Sequence, residues 1–214
     1  MVKLIILIII GFILLIKGAD FLVDGASGIA KKFGIPQMIV GLTIVSIGTS
    51  MPELFVSVTS AINGFSDVSV GNVIGSNLCN LLLILGITGI ITDIKFERNT
   101  KYIEIPFLLV STFVFFVMAQ TGTVSRINAG ILMTLFIIFI IYTIISAKKQ
   151  HINNTEIGEE TDKKDNSVLK NIILIIIGIV ALKYGGDFVV NNSIQIAKII
   201  GISEKIISVT IIAI

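Results

Sequence analysis

The stretch Gly48-Thr49-Ser50-Met51-Pro52-Glu53 lies between two long apolar runs, at a depth where lipid should surround the chain. A charged side chain near the bilayer centre costs at least about 2.5–3.5 kcal/mol and by default indicates a functional position. Pro52 has no N–H to donate to the carbonyl of Gly48, and its ring pushes that carbonyl aside. Broken backbone in a membrane persists only where it is buried in protein or lines a cavity. Freed carbonyls, hydroxyls and a carboxylate together suit a hard cation such as Ca²⁺.

Polar residues form one stripe on each of two neighbouring helices around this stretch. The first stripe has helical spacing and consists of Ser46, Ser50, Glu53 and Ser57. The second follows the loop at residues 63–67 and consists of Asn72, Ser76 and Asn80, flanked by the small residues Gly71 and Gly75. Small residues let two membrane helices approach closely, so the two stripes predict one shared site. The alternative is that the polar side chains only join helices and that Pro52 is only a kink.

The composition predicts an all-α polytopic membrane protein. Of the 214 residues, 54% are hydrophobic and 14% are charged, and the mean hydropathy is +1.01. Six apolar segments are each long enough to cross a hydrocarbon core of about 30 Å; they are residues 4–29, 38–62, 69–92, 102–119, 127–147 and 168–197. A net charge of +2 gives no reason to expect nucleic acid as a partner. Membrane lipid is the expected surrounding.

An internal repeat predicts the architecture. The sequence Gly18-Ala19-Asp20-Phe21-Leu22-Val23 resembles Gly185-Gly186-Asp187-Phe188-Val189-Val190, and further matches follow at the same offset. Five predicted spans lie between the starts of the two copies. Because five is an odd number, the two copies cross the membrane in opposite orientations. Inverted-topology repeats are typical of transporters with a substrate site near the midplane. We therefore expect an inverted-repeat transporter fold, with six full transmembrane helices and the start of a seventh, of an expected ten.

The two motifs carry a resemblance to a known family. Residues 48–53, followed by Gly71-Asn72-Val73-Ile74-Gly75-Ser76-Asn77, resemble the first α-repeat of the cation/calcium exchanger superfamily. The Thr-Ser-x-Pro-Glu form is similar to the sodium/calcium exchanger branch of prokaryotic type. The resemblance implies a secondary antiporter that exchanges Na⁺ for Ca²⁺ by alternating access, not an enzyme, with the two ions as substrates and no prosthetic group. It also implies that two helices, at residues 4–29 and 168–197, move against the rest.

The same resemblance implies a set of ion ligands. Glu53 would bridge the Ca²⁺ and Na⁺ sites and carry most of the charge. The other oxygens would be the carbonyls of Thr49 and Ser46, the hydroxyls of Ser50 and Ser76, the amide of Asn80 and, from the second repeat, the carbonyl of Ala213. Because Ca²⁺ takes six to eight oxygens, we expect the missing half of the second repeat to supply another carboxylate.

The predicted organisation has three parts. Residues 1–150 form the first transmembrane repeat, with its motif at 41–80; residues 151–167 form a linker; residues 168–214 begin a second, inverted repeat. In the repeat register Ile214 stands opposite Ile47. The second copy of the signature would therefore start just past Ile214, and we expect a truncated second repeat.

Basic residues predict the orientation in the membrane. If the spans alternate, most of the positive charge falls on one side, at Lys31, Lys32, Lys95, Arg98, Lys101, Lys148, Lys149, Lys163, Lys164 and Lys170. Positive loops face the cytoplasm, so we expect an external N-terminus and a cytoplasmic linker in a plasma-membrane protein. Other functions stay open: a K⁺-dependent or H⁺-coupled antiporter, a cation channel, or a non-transporting fragment or membrane subunit.

Overall fold

A computed structural model describes residues 1–153, 167–203 and 206, and every regular element among them is helical. The α-helices are α1 (Val2–Lys32), α2 (Gln37–Val40), α3 (Ser46–Thr49), α4 (Met51–Ile62), α5 (Ser66–Leu78), α6 (Leu85–Ile91), α7 (Ile105–Ala119), α8 (Arg126–Asn153) and α9 (Val168–Ile200). Three π-helical segments join some of them, at Gly41–Val45, Cys79–Ile84 and Thr100–Glu104. The all-α prediction is confirmed for this part of the chain.

Five helical runs are long and apolar enough to cross a membrane: Val2–Lys32, Ser66–Ile91, Thr100–Ala119, Arg126–Lys149 and Val168–Ile200. A sixth span forms if Gly41–Thr49 and Met51–Ile62 are taken together, and these two pieces meet at a bend of 45°. All six predicted spans are therefore helical, and the second is broken. The start of the predicted seventh span, at residues 207–214, lies outside the described residues.

The chain divides into two compact units, and the first combines Met1–Ile87 with Thr155–Ile214. Within it α1 and α9 run antiparallel along their whole length. A Cβ at Gly11 would lie 3.0 Å from the carbonyl oxygen of Gly185, and one at Gly18 would lie 2.9 Å from that of Gly178. Residue numbers thus rise along one helix as they fall along the other. The two helices begin the two copies of the repeat, so their opposite orientations are confirmed.

The core of this unit joins α1, α4, α5 and α9. Its buried residues are Leu15, Ala19, Val56, Val68, Leu182, Val189, Val190 and Ile194. Close approach of α9 to α4 depends on Gly186, where a Cβ would lie 3.2 Å from Thr59 Oγ1 and 3.3 Å from the carbonyl oxygen of Phe55. The broken span is therefore held between α5 and the α1–α9 pair.

The second unit, Thr88–Asn154, contains α7 and α8. The rings of Phe107 and Phe139 stack with centroids 5.2 Å apart, and Asn99 Nδ2 donates a hydrogen bond of 3.4 Å to Ser146 Oγ. A cavity of about 230 Å³ between the helices is lined by apolar side chains, Ser111 and the partly buried Glu104. These units reflect packing, which groups α1 with α9 although the two helices begin different repeats. They do not test the predicted boundaries at 1–150, 151–167 and 168–214, which stay a prediction.

Candidate cation site

The helix breaks inside the quoted stretch. Helix α3 ends at Thr49, α4 begins at Met51, and Ser50 between them has φ −95° and ψ 4°. The N–H of Ser50 donates to the carbonyl of Ile47 at 3.1 Å, which closes a tight turn. Pro52 then stands in the first turn of α4, where a missing N–H does no harm. The predicted break is confirmed, and it places Glu53 at the N-terminal end of a new helix.

Gly48 has a packing role as well as a place in the break. It is buried, and a Cβ there would clash with Cγ2 of Val23 on α1. Only glycine lets α1 come this close to α3. The break therefore lies directly against one helix of the α1–α9 pair.

Two π-helical segments flank the motif, one on its own broken span and one on the next span. Gly41–Val45 comes before the break, and Cys79–Ile84, which contains Asn80, follows α5. Such segments are rare and occur often at functional sites. In the first of them the hydroxyl of Thr43 donates to the carbonyl of Ile39 at 2.6 Å. Apolar periodicity does not distinguish a π turn from an α turn, so these segments could not be predicted from the sequence.

Glu53 is partly buried in the first turn of α4. Its Oε2 atom is buried and has no hydrogen-bond partner among the residues that the structure describes. Burial of a carboxylate oxygen without a donor is costly. A bound cation removes that cost, so the geometry favours a cation at this position.

Asn72 on α5 faces the same turn of α4 and is fully buried. Its Nδ2 donates to the carbonyl oxygen of Glu53 at 3.0 Å and to Ser57 Oγ at 2.9 Å. Its Oδ1 is buried with no partner in the described part of the chain. Two residues joined by a hydrogen bond, Glu53 on α4 and Asn72 on α5, thus each carry a buried acceptor oxygen that has no donor in the described part of the chain.

The remaining ligands implied by the sequence motif lie on α3, at the break, on α5 and in the π-helical segment after α5. Thr49 Oγ1 donates to the carbonyl of Ser46 at 2.9 Å, and both residues are exposed, as is Ser50. The partly buried Ser76 donates through Oγ to the carbonyl of Val73 at 3.3 Å. Asn80 is exposed, one turn beyond Ser76. Ala213 lies outside the described residues. The ligand set stays a prediction.

Acidic clusters are not the basis of this site. Within residues 1–153 and 167–203 no group of three or more His, Cys, Asp or Glu side chains could hold a metal ion. Glu53 is the one acid of the motif, and the oxygens around it on α3 to α5 belong to carbonyls, hydroxyls and amides. Such a donor set suits Na⁺ or Ca²⁺ rather than a softer metal.

Comparison with known proteins decides the family. The sodium/calcium exchanger protein family matches residues 3–145 and 170–214, which include both motifs and both copies of the repeat. The chain belongs to the sodium/calcium exchanger family.

Several relatives of this exchanger family match nearly the whole chain. An uncharacterised membrane protein of Methanocaldococcus jannaschii, MJ0091, is 33% identical over 96% of this chain and 65% of its own length. The sodium/calcium exchanger MaX1 of Methanosarcina acetivorans is 28% identical over 97% of this chain and 69% of its own length.

A solved structure of the sodium-calcium exchanger NCX_Mj, soaked with Na⁺ and Sr²⁺, matches with a TM-score of 0.59 and 31% sequence identity. That match covers 100% of this chain and 68% of the exchanger's chain. The transporter fold expected from the repeat is thereby confirmed. The chain spans about two thirds of the length of the relatives it matches.

Sequence reasoning placed Asn72 on the second polar stripe but left it out of the ligand set. The available signal was its position between Gly71 and Gly75, both buried in the structure, where α5 comes close to a neighbour. Spacing alone could not show that its amide crosses to Glu53 and Ser57.

Proposed function

We propose that the protein exchanges Na⁺ for Ca²⁺ across the plasma membrane by alternating access. The observation that carries the proposal is the buried Oε2 of Glu53, which has no donor among the described residues and lies at a break in a membrane span. Two relatives support the choice of ions, because MaX1 and NCX_Mj are both sodium/calcium exchangers by name.

A cation at Glu53 would collect further oxygens from both sides of the break. Carbonyls of Ser46 and Thr49, hydroxyls of Ser50 and Ser76 and the amide of Asn80 are the proposed partners in this half. Ca²⁺ requires six to eight oxygens. We assign the rest to the second repeat, including the carbonyl of Ala213 and a second carboxylate.

Coupling follows from the charge of Glu53. One cavity can hold Ca²⁺ or several Na⁺ ions, but not both sets at once. Either set neutralises the carboxylate, whereas an empty site would carry a bare charge through a low-dielectric barrier. The empty carrier is therefore reluctant to change its orientation, and each ion leaves only in exchange for the other.

The decisive experiment uses the full-length protein in proteoliposomes loaded with Na⁺. An outward Na⁺ gradient should drive Ca²⁺ uptake, and Glu53→Gln should abolish it. Glutamine keeps the size and one oxygen but cannot offset a divalent ion, whose desolvation costs several kcal/mol. Glu104→Gln is the matched control, because it makes the same change at a partly buried acid of the second unit and should transport normally.

Each competing function has its own result. Uptake that requires K⁺ on the Na⁺ side would indicate K⁺ dependence, and uptake driven by a pH gradient without Na⁺ would indicate H⁺ coupling. Ca²⁺ flux independent of any Na⁺ gradient would indicate a channel. Folded protein without flux would support a non-transporting subunit. Near wild-type exchange by Glu53→Gln would show that Glu53 is only a neutral structural acid.

A further inference from the structure

The amide of Asn72 joins two helices at the residue that carries the charge. Asn72 is 0% exposed, and both protons of its Nδ2 are used on α4, at the Glu53 carbonyl (3.0 Å) and at Ser57 Oγ (2.9 Å). The acceptors are four positions apart, so one amide spans a full turn of α4.

The turn that Asn72 holds is the part of α4 with the weakest internal support. The first turn of any helix lacks intrahelical partners for its N–H groups. Here the preceding residue is the bent Ser50, and Pro52 contributes no donor. One backbone bond, from the Leu54 N–H to the Ser50 carbonyl at 3.0 Å, ties this turn to the break, and Asn72 adds a tether from α5 at Glu53 itself.

Asn72 also sets the distance between Glu53 and the other oxygens of α5. Ser76 follows it at i+4 on the same face of α5, and Asn80 comes one turn later, in the π-helical segment that continues α5. A bond from Asn72 to the Glu53 backbone therefore fixes how far the Glu53 carboxylate stands from those two side chains. Cation sites discriminate by cavity size and rigidity, so this distance matters for ion choice.

We propose that Asn72 is a positioning residue that holds Glu53 against the oxygens of α5 and thereby sets the affinity and selectivity of the cation site. This inference rests on the proposed function and extends it to ion selection. Asn72 acts through Glu53 and Ser57. The competing role is purely structural: a buried amide that joins two helices and affects only the amount of folded protein.

The test compares Ca²⁺ and Sr²⁺ uptake by full-length variants in Na⁺-loaded proteoliposomes, normalised to folded protein. Asn72→Ala should raise the half-saturating Ca²⁺ concentration about tenfold, the effect of losing one to two buried hydrogen bonds. The ratio of Sr²⁺ to Ca²⁺ uptake should change as well. Ser57→Ala removes one of the two acceptors and should shift the half-saturating concentration in the same direction, by about two- to fivefold.

Two matched controls separate positioning from stability. Asn192→Ala removes a buried amide whose bond, to the Phe188 carbonyl at 2.6 Å, stays within its own helix. Ser60→Ala removes a buried hydroxyl that bonds only to Val56 of α4, at 2.8 Å. Both should cost stability without any shift in the half-saturating Ca²⁺ concentration. In the double variant Ser57→Ala/Asn72→Ala the shift should not exceed that of Asn72→Ala, because both changes break the same contact.

The outcomes distinguish the two proposals. Wild-type protein that exchanges ions, with an Asn72→Ala variant of unchanged half-saturation and selectivity, overturns the positioning role and leaves the exchange function standing. An equal shift in Asn192→Ala also overturns it. If Asn72→Ala does not fold, Ser57→Ala and Ser60→Ala decide the question. A shift of the half-saturating Ca²⁺ concentration in Ser57→Ala but not in Ser60→Ala supports positioning, and no shift in Ser57→Ala overturns it. Absence of Na⁺-driven uptake by wild-type protein rejects the proposed function and, with it, this inference.

Discussion

Replacement of Gly18 by alanine tests the antiparallel contact on which the repeat architecture depends. The added Cβ would lie 2.9 Å from the carbonyl oxygen of Gly178, 2.9 Å from the backbone N of Leu182 and 3.0 Å from Leu182 Cγ. Carbon contacts are favourable at about 3.5–4.0 Å. Two of the three atoms are backbone, so no side-chain rotation relieves the clash. Helices α1 and α9 must separate.

The magnitude follows from that separation. Overpacking of this kind costs about 1–3 kcal/mol, and alanine recovers about 1 kcal/mol over glycine in helix propensity. Because two of the three close contacts are backbone, we expect the upper part of that range, about 2–3 kcal/mol. The net loss is then about 1–2 kcal/mol, which corresponds to a Tm decrease of roughly 2–8 °C for a protein of this size. The Tm decrease is measured by thermal unfolding of the detergent-purified protein, with size-exclusion chromatography as the readout of folded protein at each temperature.

The reciprocal change and a control complete this experiment. Gly178→Ala should cost a similar amount, because its Cβ would lie 2.7 Å from the carbonyl oxygen of Gly18. The double variant should lose less than the sum, since one separation relieves both clashes. Gly130→Ala in α8 is the control: nothing lies within 4 Å of its Cβ, and its Tm should stay or rise. A Gly18→Ala protein with at least the wild-type Tm would refute the packing argument.

Two further predictions concern the break and the orientation. Gly48→Ala should lower both the Tm and Na⁺-driven uptake, because its Cβ would clash with Val23 Cγ2. Adding Val23→Ala to the same protein should restore most of both. If it does not, the loss does not come from the Gly48–Val23 contact. For the orientation, Cys79, the one cysteine of these 214 residues, and any cysteine of the full-length protein beyond them are first replaced by alanine. A membrane-impermeant maleimide applied to intact cells should then label Ser66→Cys and not Lys95→Cys, both exposed positions, since basic loops stay inside. The reverse labelling pattern would invert the proposed orientation.

Local sequence chemistry was sufficient for the helices and for the break. Apolar runs predicted the spans, because a membrane helix must satisfy its own backbone and expose apolar side chains. Pro52 predicted the break at Ser50 because a missing donor acts within one turn of the same helix. The repeat predicted the opposed directions of α1 and α9, since orientation depends only on the number of spans between them.

Contacts between helices were beyond the sequence. Spacing placed Asn72, Ser76 and Asn80 on one face, but it could not show which of them reaches α4, because that depends on the crossing of α4 and α5. For the same reason Ser57, the last member of the first polar stripe, could not be assigned its contact with Asn72. The roles of Gly11 and Gly178 in close packing likewise depend on which residues of the other helix face them.

The kinds of contact around the broken span bear on the motion that the family resemblance implies. Between α1 and α9 the glycines meet backbone in both directions, Gly18 against Gly178 and Gly11 against Gly185, so displacement of one along the other would drive carbonyl oxygens into Cα atoms. Contacts of the pair with the broken span are looser, because Gly48 meets only the side chain of Val23, and a Cβ at Gly186 would lie 3.3 Å from the carbonyl oxygen of Phe55 where one at Gly18 would lie 2.9 Å from that of Gly178. A side chain can pass a glycine more easily than backbone can pass backbone. Movement of α1 and α9 as one body across the break therefore requires less repacking than movement of either helix alone. Such a movement would carry Val23 past Gly48, which lies between the proposed ligands Ser46 and Thr49.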